Sequence, residues 1–190
     1  MKIRKLYIAD THMGHANVIK HDSRPFSDVM QMDKRIITNW NNAVAPFDEV
    51  YILGDMFWKN GGAADVLKKL NGKKFLIKGN HDRINSEMES FFVWVRGYEE
   101  IRDGERHVIL CHYPIAHWND ADKGSVHLYG HIHNGRDMPP FMEYVRKMKD
   151  RGLPYECYNV GCMMPYMDYT PRTLDEIING ADKFTDIEGE

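Results

Sequence analysis

Five apolar runs in this chain are each followed by side chains that can bind metal ions. One run, Phe75-Leu76-Ile77, leads into Lys78-Gly79-Asn80-His81-Asp82. The other four lead into Asp10-Thr11-His12, Gly54-Asp55, His112 and Gly130-His131-Ile132-His133. Short runs of this composition predict buried strands, and ligands bind at the carboxyl ends of strands in open α/β sheets. We therefore predict that three aspartates, one asparagine and five histidines meet at one edge of one sheet.

Each stretch alone is weak evidence, because Asn80-His81-Asp82 has the composition of an ordinary polar turn. Packing against a core does not select aspartate, asparagine and histidine at strand ends. An explanation by unrelated turns would need five separate coincidences. The set as a whole therefore favours one common site.

The order of the segments predicts an α/β fold. From Lys2 to Asp82, candidate strands alternate with candidate helices, which is typical of a parallel sheet. One helix is predicted to begin at Asp28, with Gln31 as its capping partner. From Phe91 onward the candidate strands are short and closely spaced, and Asp103-Gly104 predicts a hairpin turn.

The last third of the chain is less regular. Residues 134–152 have the pattern of an insertion that contains one amphipathic helix, with apolar residues at Phe141, Tyr144, Val145 and Met148. A short helix is predicted over Leu174–Asn179. The acidic tail, residues 182–190, is expected to fray.

Length, charge and cysteine usage limit the functions that this chain can have. Its 190 residues suit one domain spanning 1–190. A net charge of −3 provides no general basic surface, so we do not expect a long nucleic acid as a partner. Three cysteines without a CxxC pair fit a reducing compartment. With no signal peptide and no apolar run long enough to span a bilayer, we expect a cytoplasmic protein without a membrane partner. The oligomeric state stays open.

The candidate ligands indicate which ions they would bind. Aspartate, asparagine and histidine without cysteine suit divalent metals of intermediate hardness, namely Mn, Fe, Co, Ni or Zn. The set exceeds the needs of one ion, whereas two ions about 3.5–4 Å apart that share a carboxylate and a water would use all of it. Such a pair lowers the pKa of its water toward about 7. Its open positions suit the oxygens of a phosphate ester.

Five further residues are candidates for substrate contact, and four of them have a structural alternative. His15 and Asn17 can face the cleft or cap a helix, and Arg24 can bind a phosphate or remain a surface arginine. Tyr113 and Trp118 belong to a long loop whose aromatic side chains can line a substrate pocket. Trp118 can instead fill the base of that loop.

The five stretches resemble the five signature blocks of the calcineurin-like metallophosphoesterase superfamily, in the family's order, over residues 10–133. The whole chain is also similar to a small group of bacterial and phage phosphoesterases. They share His12-x-Gly14-His15-x-Asn17, His112-Tyr113-Pro114 and Asn159-Val160-Gly161. This resemblance implies a four-layer αββα sandwich, with two mixed β-sheets flanked by helices and a dinuclear metal centre at the strand ends.

The resemblance also implies a role for each residue. Seven side chains would hold the two ions: Asp10, His12 and His133 the first, Asn80, His112 and His131 the second, with Asp55 bridging both. His81 would protonate the leaving oxygen, and Asp82 would hold the tautomer of His81. The segment Met56-Phe57-Trp58-Lys59 departs from the pattern of phosphoprotein phosphatases, which argues against a protein phosphatase.

The resulting hypothesis is a metal-dependent phosphodiesterase or phosphatase that acts on a small or nucleotide-like phosphate ester, with Mn as the favoured ion. Two alternatives stay open. One is an interaction scaffold of the same fold in which the metals are structural, and the presence of His81 counts against it. The other is a nuclease, which the small size and slightly acidic charge do not favour for long polynucleotides.

Overall fold

The computed structural model describes residues 3–58 and 62–187 of the chain. Among these residues, the first sheet has four strands, all parallel and in spatial order of the chain: β1 Lys5–Ile8, β2 Glu49–Ile52, β3 Lys73–Ile77 and β4 Phe92–Arg96. The helices that connect them are α1 Ala16–His21, α2 Val29–Ala43, α3 Ala63–Lys69 and α4 Ser86–Glu89. Most residues of β1, β2 and β3 are buried, as in parallel strands that are covered on both faces.

The second sheet is mixed. Its strands, again in spatial order, are β5 Tyr98–Asp103, β6 Arg106–Cys111, β7 Val126–Tyr129 and β8 Glu156–Asn159. The predicted hairpin at Asp103-Gly104 joins the antiparallel pair β5 and β6, whereas β6, β7 and β8 are parallel. Helix α5, Met138–Lys149, lies between β7 and β8 in the chain, and α6, Leu174–Ile187, follows β8.

The two sheets share one hydrophobic core. Val108 and Leu110 of β6 are buried in the same cluster as the strands of the first sheet, while Ile109 belongs to a second cluster with Val145 of α5. Successive residues of a strand face opposite sides. One face of the second sheet therefore packs toward the first sheet and the other toward α5. Helix α2 adds Met32, Ile36 and Trp40 to the first cluster. The fold is the predicted four-layer αββα arrangement.

Two details of the strand prediction were wrong. Only the second sheet is mixed, since all four strands of the first sheet are parallel. The change of topology comes after β4 and not at Phe91, because β4 pairs with β3 and the single residue Gly97 carries the chain to β5. The spacing of short strands does not reveal which sheet each of them joins.

Helix α6 ends at Ile187 and is therefore longer than the helix predicted over Leu174–Asn179, while the fraying of residues 182–190 stays a prediction. Leu174 is buried in the core and Ala181, seven residues later, packs against it. This apolar spacing extends the helix past the predicted end at Asn179. The remaining residues, 188–190, lie outside the described part of the chain.

Two helix predictions are confirmed. Helix α2 begins at Val29, and the carboxylate of Asp28 accepts a hydrogen bond from the backbone N–H of Gln31 at 2.8 Å. Helix α5 lies within the predicted insertion 134–152, and its apolar stripe packs with the outer face of the second sheet. Among the described residues, no helix is long and apolar enough to cross a membrane.

Candidate metal centre

The candidate ligands come from both sheets. Asp10, Asp55 and Asn80 follow β1, β2 and β3 of the first sheet, whereas His112 and His131 follow β6 and β7 of the second. The expectation of a single sheet edge was therefore wrong. The side chains meet where the carboxyl ends of two adjacent sheets face each other, and each sheet supplies part of the set.

The side chains form two adjacent groups, each with its ligand atoms within 4.8 Å of one another: Asp10, His12 and His133, and Asp55, His112 and His131. Asp55 lies between the groups, because its Oδ2 is 3.7 Å from Nε2 of His12 and 3.4 Å from Nε2 of His112. The Oδ1 atom of Asn80 joins the second group, at 3.1 Å from Nε2 of His112 and 2.9 Å from Nδ1 of His131.

The hydrogen bonds outside each group determine what the inward-facing atoms can do. Nδ1 of His112 lies 2.8 Å from the carbonyl oxygen of Leu53, which can only accept, so this nitrogen donates. Nδ1 of His133 donates in the same way to Oδ1 of Asp22 at 2.8 Å. In the neutral rings the Nε2 atoms are then lone-pair acceptors that point inward.

The inward-facing Nε2 atoms of His112 and His133 lie close to other atoms that carry lone pairs. Nε2 of His133 lies 3.2 Å from Nε2 of His12, and Nε2 of His112 faces oxygens of Asp55 and Asn80. Lone pairs that converge in this way need positive charge between them. The donor set therefore fits divalent cations with nitrogen and oxygen ligands.

The pKa values of His133 and Asp55 also indicate that the centre favours positive charge. Burial lowers the pKa of His133, but Asp10 and Asp22 outweigh burial and raise it to about 9. Burial raises the pKa of Asp55, yet His112 and the backbone N–H of His81 lower it to about 2. Asp55 thus keeps its negative charge at neutral pH.

The backbone at the centre is unusual. Five of the seven candidate ligands have a positive φ, between 47° and 68°: Asp10, His12, Asp55, His131 and His133. The left-handed region is strained for most L-residues and is enriched at functional sites, where surrounding structure holds it in place. Here the loops after β1 and β2 are joined by a hydrogen bond from the backbone N–H of Asp10 to the carbonyl oxygen of Gly54 at 3.0 Å.

Gly79 allows two of these loops to touch. A Cβ at this position would lie 2.3 Å from Oδ1 of Asp55 and 2.6 Å from its backbone nitrogen. No side chain fits there without moving the carboxylate. The glycine before Asn80 is therefore required by close packing against the second loop.

Comparisons with known proteins identify the family. Residues 3–116 match the family model described as calcineurin-like phosphoesterase. The chain belongs to this family. Its relatives include the uncharacterized protein MJ1445 of Methanocaldococcus jannaschii, which is 34% identical over 188 residues, covering 96% of this chain and 94% of the relative. They also include the Gene 66 protein of Mycobacterium phage D29, which is 28% identical over 159 residues, covering 67% of this chain and 77% of the relative.

A solved structure of the same fold covers nearly the whole chain. It is the crystal structure of AQ665, a protein of unknown function from Aquifex aeolicus, with a TM-score of 0.72 and 25% sequence identity. The match covers 94% of this chain and 99% of that one. The predicted resemblance to calcineurin-like phosphoesterases is confirmed.

In this phosphoesterase-family chain, Asp82 does not hold the tautomer of His81, so that prediction was wrong. Its Oδ2 accepts the backbone N–H groups of Asp55 and Gly79, each at 2.9 Å, and its Oδ1 accepts that of Met56 at 3.0 Å. Both oxygens are directed at backbone amides. Asp82 therefore fastens the loop after β3 to the loop after β2.

His81 lies at the edge of the centre. Its backbone N–H donates to Oδ1 of Asp55 at 2.8 Å, and its ring centroid is 5.5 Å from that of His12. The indole of Trp58 lies 5.0 Å from the His81 ring and stacks on His15 at 3.7 Å. Three rings thus form a wall beside the centre. Sequence reasoning treated Trp58 only as a departure from the phosphatase pattern, and no spacing rule singled it out.

The proposed phosphate-binding role of Arg24 is contradicted. Its side chain is fully buried, with a relative exposure of 0%, and it donates to the carbonyl oxygens of Asp10 and Thr11 and to Oδ2 of Asp22. It has no surface from which to reach a substrate. Asp22, which links Arg24 to His133, was missed because an aspartate between two loop residues carries no sequence signal.

The other substrate candidates divide into near and distant residues. Tyr113 is 45% exposed, and its ring centroid lies 4.6 Å from that of His131, so it borders the centre. Trp118 is buried, and its indole N–H donates to the hydroxyl oxygen of Ser125 at 3.0 Å. Trp118 fills the base of its loop and lines no pocket at the centre. Asn17 is exposed in the first turn of α1 and makes no side-chain hydrogen bond to a described residue.

Proposed function

We propose that this protein is a phosphoric ester hydrolase that works with two divalent metal ions. The observation that carries the proposal is the pair of adjacent ligand groups with the Asp55 carboxylate between them. Two bound cations would supply Lewis acidity and make hydroxide available near neutral pH. Mn is the favoured ion, and Fe, Zn, Ni and Co suit the same ligands.

Each ion would take three ligands of its own and share one. The first would be held by Asp10, His12 and His133, the second by Asn80, His112 and His131, and Asp55 would contact both. The outward hydrogen bonds described above support this assignment. They fix the tautomers of His133 and His112 so that a lone pair faces inward, an arrangement typical of metal-binding histidines.

His81 would protonate the leaving oxygen of the ester. Two observations support this role. Its ring lies beside the first ligand group but outside both, and its backbone is held by Asp55 at 2.8 Å. Packing against Trp58 would restrict the orientation of the imidazole. Asp82 would contribute indirectly, by holding the loop that carries His81.

The proposed substrate is a small phosphate ester. Tyr113 and His15 border the centre and are the remaining candidates for contact with it. A net charge of −3 gives no general attraction for a long polyanion. Whether a monoester or a diester is preferred is an outcome of the assay below.

The test is the rate of hydrolysis of p-nitrophenyl phosphate and bis-p-nitrophenyl phosphate with added Mn²⁺, for the wild type and for His81→Ala. A general acid typically contributes about 10²–10⁴-fold. We expect kcat to fall by that factor while the metal content, measured by plasma emission spectroscopy, stays the same. His107→Ala is the matched control, since His107 is also partly exposed but lies at the opposite end of β6 from His112.

Three outcomes would contradict the proposal. Wild-type rates no higher than those of His81→Ala on either ester and on a panel of nucleotides would exclude catalysis through His81. Bound metal without turnover, together with a stable complex with another protein, would favour the scaffold. Salt-dependent binding and cleavage of single-stranded nucleic acid would favour a nuclease.

A further inference from the structure

A groove lined by methionines runs beside the candidate metal centre. Its volume is about 970 Å³, at the upper end of the range of about 300–1,000 Å³ that is typical of small-molecule pockets. It lies between α5 and the segment 163–165. Four methionines are among its lining residues, namely Met138, Met142, Met163 and Met164, and the last two are 8% and 1% exposed.

One end of this groove reaches the residue next to a candidate ligand, although no candidate ligand itself lines the groove. Asn134 lines the groove, directly follows His133 and donates its amide N–H to the carbonyl oxygen of Asp22 at 3.5 Å. The sulfur of Met163 and Oδ2 of Asp10 lie 2.8 and 3.3 Å from the point that a Cβ on residue 161 would occupy. A molecule with its phosphate at the centre would therefore have the methionine groove next to it.

The groove lining indicates which chemical group would fit. Methionine side chains are flexible and adapt to ligands of varied shape. Among the described residues that line the groove none is aromatic, so it offers no ring on which a nucleobase can stack. Three charged residues line the groove. Glu143 pairs with Lys147 at 2.7 Å and Lys149 with Glu156 at 3.3 Å, and the exposed Arg146 is the third.

A narrower cavity continues the apolar path. Its volume is about 110 Å³, and it shares Met138, Met142 and Met164 with the groove. Apolar contact therefore extends beyond the methionines toward β8, whose residues Cys157 and Tyr158 also line the cavity. The small volume of this cavity suits a chain better than a broad ring system, although Tyr129, Tyr158 and Tyr166 also line it.

We propose that the methionine groove binds the apolar chain of a phosphate ester, so that alkyl phosphate esters are the substrate class. This inference rests on the proposed phosphoesterase function. It replaces the expectation of a nucleotide-like substrate with that of an amphiphile, which has its phosphate at the centre and its chain against α5.

The test uses non-hydrolysable probes and nuclear magnetic resonance. Protein labelled with [methyl-¹³C]methionine is titrated with hexylphosphonate, methylphosphonate and adenosine 5′-monophosphate, with and without Zn²⁺. Burial of one methylene tightens binding about three- to fourfold. We expect hexylphosphonate to bind at least about tenfold tighter than methylphosphonate and to shift the methyl signals of the groove methionines. The signal of Met30, which is 76% exposed on α2, should not move.

A pair of matched variants separates the groove from general hydrophobic binding. Met142→Glu places a charge in the groove and should reduce the affinity for hexylphosphonate to that for methylphosphonate. Met30→Glu introduces the same charge on another helix and should change nothing. If thermal melting shows that Met142→Glu does not fold, Met138→Glu takes its place.

Several results would overturn the inference. They are equal affinities for the two phosphonates, equal loss in the two variants, or larger shifts of the groove methyls with the nucleotide. Release of inorganic phosphate from hexyl and methyl phosphate separates the two proposals. Hydrolysis without preference for the longer chain leaves the phosphoesterase and rejects the alkyl class. Chain-dependent binding without hydrolysis of any ester keeps the groove as an amphiphile site and rejects the enzyme.

Discussion

Asp22 is not a candidate metal ligand, but its carboxylate orients one, His133. Replacing Asp22 by asparagine removes the charge of that carboxylate. Oδ1 of Asp22 accepts from Nδ1 of His133 at 2.8 Å, and Oδ2 accepts from two nitrogens of Arg24 at 2.7 and 2.9 Å. Burial raises the pKa of Asp22, but His133 and Arg24 outweigh it and lower the pKa. Asparagine keeps the shape and one acceptor, while its NH₂ group would face another donor.

We expect Asp22→Asn to lower both the metal affinity and the free energy of unfolding. Loss of the partner of a metal-binding histidine typically costs about 10–100-fold in metal affinity, or about 1.4–2.7 kcal/mol. Arg24 is fully buried, and removing one member of a buried ion pair costs about 3–5 kcal/mol. Because Arg24 keeps the carbonyls of Asp10 and Thr11, we expect a loss of stability below that range.

Asp48→Asn is the matched control. Asp48 is 3% exposed and accepts from two nitrogens of Arg4, as Asp22 does from Arg24, but it contacts no candidate ligand. The Arg4 side chain is 48% exposed, so the loss of stability should be smaller in this control. Mn²⁺ and Zn²⁺ affinities are measured by calorimetry, and the free energy of unfolding by urea titration. We expect both variants to lose stability and only Asp22→Asn to lose metal affinity. Unchanged metal affinity in Asp22→Asn, or an equal loss in both variants, would refute the orienting role.

Two further substitutions test how the loops are held together. Gly79→Ala places a Cβ 2.3 Å from the carboxylate of Asp55. We expect this variant to lower the free energy of unfolding by about 1–3 kcal/mol and to weaken metal binding. Gly97→Ala is the control and should do neither, because a Cβ at residue 97 has nothing within 4 Å. Equal melting temperatures and metal affinities for the two alanine variants would contradict the close packing. Asp82→Asn keeps one acceptor oxygen but leaves at least one of the three buried backbone N–H groups facing an NH₂ group, and it should cost about 1–3 kcal/mol in urea unfolding. A lower kcat with unchanged stability would instead restore the tautomer role.

The sequence predicted which side chains lie close together because strand ends and residue types are local features. Each apolar run could be recognised from a few residues, and parallel strands bring their carboxyl ends together wherever they lie in the chain. What the runs could not show was that His112 and His131 belong to a second sheet. Sheet membership depends on pairing between distant strands, so the change of strand spacing at Phe91 does not mark the start of the second sheet.

The errors in the site concern side chains whose partners are distant or carry no motif. Arg24 reads as a surface arginine or a phosphate ligand, and only the fold reveals that it is buried against backbone carbonyls. Trp118 could line a pocket or fill a loop, and the position of Ser125 decides this. Asp22 and Trp58 were missed because nothing in their spacing relates them to His133 or His81.

The left-handed backbone at five ligand positions has a consequence for how this chain can change. Aspartate, asparagine and histidine are the non-glycine residues that adopt this conformation most readily, and they include the side chains that bind divalent cations. An exchange among them, such as Asp10→Asn, would remove a negative charge from the proposed ion site while the loop keeps its course. The proposed ion site and the fold of its loops can therefore be changed independently. A single substitution would be enough to give a variant without the site but with the same surface.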